Sequence, residues 1–149
     1  MKLFDLIMLE FRKDITDWKQ AIHIGVKMLV ENKKATWKLE EMILESTTKY
    51  GAYYVLEKGI ALVHAPAGEH CIEPATSTLI LDKEIVFNGQ KEKAAKIIIT
   101  LSAPDNDSHF LLISQFAQYF MDVDFKSKAL AVSDKSEFIN LLTRSKYEF

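Results

Sequence analysis

A layered α/β domain, a mixed β-sheet flanked by α-helices on both sides, is what the sequence predicts. Three observations carry that reading. Segments with helical apolar spacing stand before and after a strand-rich middle. Within the middle, Lys96-Ile97-Ile98-Ile99-Thr100-Leu101 is a near-continuous β-branched run, typical of a central strand covered on both faces. The 149 residues fit one domain, taken as residues 1–149, and no linker or low-complexity stretch divides them.

Along the chain, residues 4–11 mix β-prone side chains with weak alternation (Ile7, Leu9, Phe11) and read as a strand. Thr16 or Asp17 then offers an N-cap. Trp18, Ala21, Ile22, Gly25, Val26, Leu29 and Val30 follow at helical spacing, one apolar stripe facing a core. A second helix is expected from Thr36 to about Lys49, with Gly51 as its stop. Residues 53–56, 60–63, 77–81 and 85–87 read as short strands, and Asn88-Gly89 as a hairpin turn. Asp107 or Ser108 can cap a helix running to about Met121, apolar nearly all round and therefore expected to be well buried. Two shorter helices are expected around residues 125–132 and 136–142.

Composition excludes several functions. Nineteen Lys+Arg against 21 Asp+Glu leave a formal charge of -2, too flat for a protein that neutralises nucleic-acid phosphates. One cysteine rules out an internal disulfide framework and a four-cysteine zinc site, and suits a reducing compartment. Asp5 and Glu10 interrupt the apolar N-terminus and no small-residue cleavage site follows, so it makes a poor signal peptide. No run approaches the ~18 apolar residues that span a bilayer. The expectation is a cytoplasmic protein with no membrane insertion.

Four histidines are the natural place to look for chemistry. His23, between Ile22 and Ile24, reads as an ordinary helix residue. His70 sits in Ala67-Gly68-Glu69-His70-Cys71; a metal site of His64, His70 and Cys71 lacks any further ligand at a matching spacing. His64 ends the apolar strand Gly59-Ile60-Ala61-Leu62-Val63 and precedes Ala65-Pro66-Ala67-Gly68, where the ladder cannot continue past Pro66. His109 follows Ala103-Pro104-Asp105-Asn106-Asp107-Ser108, leaving the most apolar strand and opening a helix, whose first N–H groups favour an anion. Both thus lie at carboxyl ends of strands, where α/β sheets bind ligands. Either they face one phosphoryl group, or they are two unrelated surface histidines.

These segments resemble a known family. Gly59-Ile60-Ala61-Leu62-Val63-His64-Ala65 is similar to the G-I-A-(L/M)-P-H-(A/G) segment of fructose/mannitol-type enzyme IIA domains of the phosphoenolpyruvate:sugar phosphotransferase system (PTS). Ala103 to His109 resembles that family's A-x-x-(D/N)-(N/D)-x-H segment, and His64 and His109 stand at its separation of 45 residues. Tyr50-Gly51-Ala52-Tyr53-Tyr54-Val55 is nearest to the F-G-P-Y-x-V of ascorbate-type and pentitol-type members. The resemblance implies a phosphocarrier with an α/β sandwich fold. His64 would take a phosphoryl group from phospho-HPr, the histidine-containing carrier, and pass it to a cysteine of a cognate enzyme IIB. His109 would stabilise the phosphoryl group, and no nucleotide, metal or other cofactor is called for. A regulatory protein of the same fold, signalling through His64, is the alternative; retention of both histidines speaks against an inactive binding module.

Three departures stand out. Val63 replaces the proline usual before the active histidine. Ala65-Pro66-Ala67-Gly68 stands where ascorbate-type members often have Ala-Arg-Pro-Glu, so that arginine is missing. The position of the mannitol-type active-site arginine falls on Thr48, beside Lys49. Lys49 or Lys58 is the substitute cation to look for, although each also reads as an ordinary solvated lysine.

Overall fold

The computed structural model describes residues 2–147; Met1, where the N-terminal reading starts, and residues 148 and 149 lie outside them. After a 3-10 turn at Leu6–Met8 come β1 (Leu9–Arg12), α1 (Trp18–Glu31), α2 (Lys38–Tyr50), β2 (Val55–Glu57), β3 (Gly59–Val63), β4 (Ala75–Phe87), β5 (Gln90–Ser102), α3 (Asn106–Phe120), α4 (Val123–Leu130) and α5 (Lys135–Arg144). The strands form one sheet in the order β1-β4-β5-β3-β2. β1 runs parallel to β4 and β3 parallel to β5, while β4–β5 and β2–β3 are antiparallel. The expected mixed sheet is therefore present. Among the described residues no helix is long and apolar enough to cross a membrane.

Strand alternation puts a core on each face. Ala61 and Val63 of β3 and Ala95 and Ile98 of β5 join Ala21, Ile22, Leu29, Leu39 and Ile43 under α1 and α2. Ile60 and Leu62 with Ile97, Ile99 and Leu101 join Leu112, Phe116, Phe125, Phe138 and Leu142 under α3, α4 and α5. Full burial of each Val, Leu, Ile or Phe side chain among them stabilises by about 1.5–3 kcal/mol. Covered on both faces, β5 is the central strand that its β-branched run predicts. Glycine at position 25 lets α1 lie against the sheet: a Cβ there would sit 2.3 Å from Thr100 Oγ1, and Ser77 Oγ donates to the Gly25 carbonyl at 2.7 Å.

Several boundaries differ from expectation. The first strand is only Leu9–Arg12, because Asp5 caps the 3-10 turn by accepting from Ile7 N at 3.0 Å. Residues 77–81 and 85–87 belong to one long β4, whose register against β5 shifts between Ile80 and Ile85. Asn88 and Gly89 do form the turn, both with positive φ (53° and 67°). α2 starts at Lys38 rather than Thr36, and Gly51 ends it with φ 73°. α3 is capped by Asp105, not Asp107 or Ser108, since the Asp105 carboxylate accepts from Ser108 N at 2.8 Å. Nor is α3 buried all round: Phe110 and Leu111 are exposed. Asp122 and Asp134 start α4 and α5 slightly earlier than read, by the same capping bond.

Candidate functional site

β3 and β5 are parallel neighbours, with Val63 opposite Thr100, so both chains leave the sheet at the same edge. Gly68 N donates to the Ala103 carbonyl at 3.4 Å, tying the two exit loops together. Continuing the β3 alternation, residue 64 falls on the face of Ile60 and Leu62, the side that α3 covers. His109 lies in the first turn of α3, its N–H bonded to the Asp105 carbonyl at 3.1 Å. The structure brings the two rings together, centroids 5.4 Å apart and planes inclined at 57°.

They share an open cleft of about 620 Å³ lined by Ser46, Tyr50, Tyr53, Pro66, Ala67 and Asn106 besides the two histidines. A slightly larger hollow of about 670 Å³ lies by α4 and α5, lined by Asp122, Lys128, Glu137 and Arg144 among others. That hollow holds side chains of both charge signs and no histidine, so size does not single out the chemistry.

His64 Nδ1 lies 2.5 Å from the Leu62 carbonyl. A carbonyl only accepts, so Nδ1 carries the proton and Nε2 keeps its lone pair. Burial pushes the His64 pKa below its ordinary value; the charge of His109 acts in the same direction, and the Leu62 bond opposes. Burial also lowers the pKa of His109. Both rings are therefore neutral at pH 7. His109 Nε2 is buried and has no hydrogen-bond partner among the described residues. Such a group is costly unless something satisfies it, and the residue that carries it lines the cleft beside His64.

The start of α3 is less open to an anion than the sequence suggests. The Asp105 carboxylate already takes the N–H groups of Ser108 and Asp107, which hold its pKa below the usual range. No Lys, Arg, Asp or Glu lines the cleft among the described residues. Lys49 pairs with Glu45 at 3.7 Å and Lys58 with Glu84 at 3.9 Å, all exposed, so neither lysine substitutes for the missing arginine there. Thr48 Oγ1 is turned back onto the Leu44 carbonyl at 3.1 Å.

The remaining histidines stand apart from the cleft. His23 is exposed, stacks on Trp37 at 5.2 Å and pairs with Glu40 at 2.7 Å. His70 is buried beside Gly68, and its carbonyl accepts from Thr36 N and Oγ1. Sequence reasoning missed Ser46 and Asn106 and gave no role to Tyr50 and Tyr53. The available signal was helical spacing: Ser46 and Tyr50 lie four residues apart, on one face of α2.

Over residues 2–145 the chain matches the family described as "Phosphoenolpyruvate-dependent sugar phosphotransferase system, EIIA 2". It is 27% identical over 128 residues to a mannitol-specific cryptic phosphotransferase enzyme IIA component of Escherichia coli (strain K12), covering 86% of each chain. Identity is 26% over 150 aligned positions to an ascorbate-specific PTS system EIIA component of the same strain, covering 97% of each. Mannitol-type and ascorbate-type relatives thus match at nearly the same level. Among solved structures, the solution structure of the mannitol-specific cryptic enzyme IIA from Escherichia coli superposes with a TM-score of 0.83 at 25% identity, covering 97% of this chain and 100% of that one. The complex of the Escherichia coli mannitol enzyme IIA with phosphorylated enzyme IIB gives 0.79 at 16% identity, covering 95% and 98%, a likeness of fold alone. Fold and sequence match agree that the chain belongs to the EIIA 2 family of the phosphoenolpyruvate-dependent sugar phosphotransferase system.

Proposed function

We propose that this chain is a phosphocarrier that accepts a phosphoryl group from phospho-HPr on His64 and passes it to a cysteine of a cognate enzyme IIB. The observation that carries this is the clamped His64 tautomer facing the unpartnered His109. In the first step the donor's N–P bond breaks as His64 Nε2–P forms, roughly in line. The donor ring, protonated on its other nitrogen, keeps the N–P electron pair and leaves as a neutral imidazole. The His64 ring becomes positive, and its proton stays on Nδ1, donated to the Leu62 carbonyl, which stabilises that charge. In the second step a cysteine thiolate attacks phosphorus, the Nε2–P bond breaks and His64 returns to its neutral form.

His109, with its proton on Nε2, donates to the equatorial oxygens where charge develops. The Asn106 amide is a further neutral donor lining the cleft. A cleft without cations holds phosphate weakly, which suits a group that must be handed on. Exposed Tyr50, which lines the cleft, gives it an apolar surface for partners. The fold is shared with an enzyme IIA that has been solved in complex with its phosphorylated enzyme IIB.

The test is incubation with phosphoenolpyruvate, enzyme I and HPr, followed by mapping of the modified residue. Labelling confined to His64 and abolished by His64→Ala is expected. Labelling that persists in His64→Ala would overturn the assignment.

A further inference from the structure

We infer that Tyr53 is a positioning residue for His64, its hydroxyl holding the His64 main chain while its ring walls the imidazole. The inference rests on the phosphocarrier reading of His64 and deepens it.

Beyond Val63 the β3 ladder ends, and Pro66 has no N–H to offer, so the His64 carbonyl lies outside regular strand pairing. The Tyr53 hydroxyl donates to that carbonyl. The same phenol ring meets the imidazole edge-on, centroids 5.2 Å apart and planes at 84°. One side chain therefore touches His64 at both its carbonyl and its ring. Together these contacts limit rotation of the peptide and of the side chain. The Nδ1 contact to Leu62, folded back over two residues, depends on that orientation.

Tyr53 is itself held. Tyr54 packs against it at 5.0 Å and Tyr50 at 6.5 Å. Tyr54 is fully buried and hydrogen-bonded to Thr47 of α2 at 2.8 Å. Burial pushes the Tyr53 phenol above its usual pKa, against a hydrogen bond with Ser46, so it remains a donor at neutral pH. Of the groups lining the cleft, His109 and the phenol of Tyr50 are the other titratable ones near His64.

Tyr53→Phe keeps the ring and removes the hydroxyl. The rate of phosphoryl transfer from phospho-HPr should fall about five- to tenfold, the equivalent of one net hydrogen bond. Long-range proton–nitrogen spectra of unphosphorylated protein should show the His64 Nε2–H tautomer rising, with the melting temperature little changed. Tyr53→Leu, which also removes the ring, should raise that tautomer further. A wild-type tautomer ratio in both variants overturns the inference, whatever the rates. If wild-type protein is never labelled at His64 yet both variants shift its tautomer, the phosphocarrier reading fails and the positioning role stands.

Discussion

Replacing His109 with alanine separates catalysis from folding more cleanly than any other change in the cleft. On the folding side, Nε2 is buried without a partner among the described residues, so truncation strands none of their groups. It also removes an unsatisfied polar atom whose burial costs about 1–3 kcal/mol. Against that stands the lost packing of a partly buried ring, on the order of 1–2 kcal/mol. The two nearly cancel, so stability should change by no more than about 1 kcal/mol, a melting shift within ~2–4 °C at this chain length. On the catalytic side, losing a preorganised donor to developing charge costs ~10²–10³ in rate. Among the described residues no cation lines the cleft to compensate. Thermal melting, paired with single-turnover transfer from the phosphorylated protein to enzyme IIB, measures both sides. His109→Gln, which restores an amide donor, should recover part of the rate. Wild-type transfer in His109→Ala would make His109 a bystander, and collapse of the fold would make it a core residue.

Further outcomes follow from the same geometry. Because burial lowers the pKa of His64, an NMR titration should place its midpoint below 6.5, with the nucleophilic neutral form predominant at pH 7; a midpoint above 6.5 would contradict this. Below about pH 6.5 the unfolded chain binds protons that folded His64 and His109 resist, so stability should be flat above about pH 6.5, fall as pH drops from there to their lowered values, and level off below them. Denaturant unfolding of wild type and His64→Gln across pH 5–7 checks this, the variant showing the shallower slope. Gly25→Ala should overpack α1 against Thr100, costing roughly 3 kcal/mol less about 1 kcal/mol of helix propensity, so melting should drop ~4–8 °C. Adding Thr100→Ala removes the clashing and unpartnered Oγ1 and should restore most of that loss.

Much of the architecture is legible because burial is written into periodicity. The run from Lys96 to Leu101 announces a strand covered on both faces, and its odd and even residues do enter opposite cores. The start of that strand at Gln90 is not legible, since Glu92 and Lys93 are partly or fully exposed polar residues lying where the pairing with β4 shifts register. Local side-chain bonds displaced other boundaries: Asp5 captures Ile7 N and cuts the first strand short, and Asp105 captures Ser108 N and moves the α3 cap. The all-apolar α3 misleads about burial, because composition does not say which way Phe110 and Leu111 point. At the cleft, strand-end position and motif spacing single out His64 and His109. Their neighbours Ser46, Tyr50 and Tyr53 come from α2 and the loop after it, and only tertiary packing brings these to the sheet edge. The capture of the α3 amides by Asp105 likewise depends on which aspartate caps the helix.

The most direct measurement is the position of phosphorus on the ring. Protein phosphorylated through the relay, observed by phosphorus–nitrogen correlation, should show phosphorus on His64 Nε2. The Nδ1 proton should persist, held by the Leu62 carbonyl. Phosphorus on Nδ1 of His64, or on any other residue, would contradict the tautomer on which the mechanism depends.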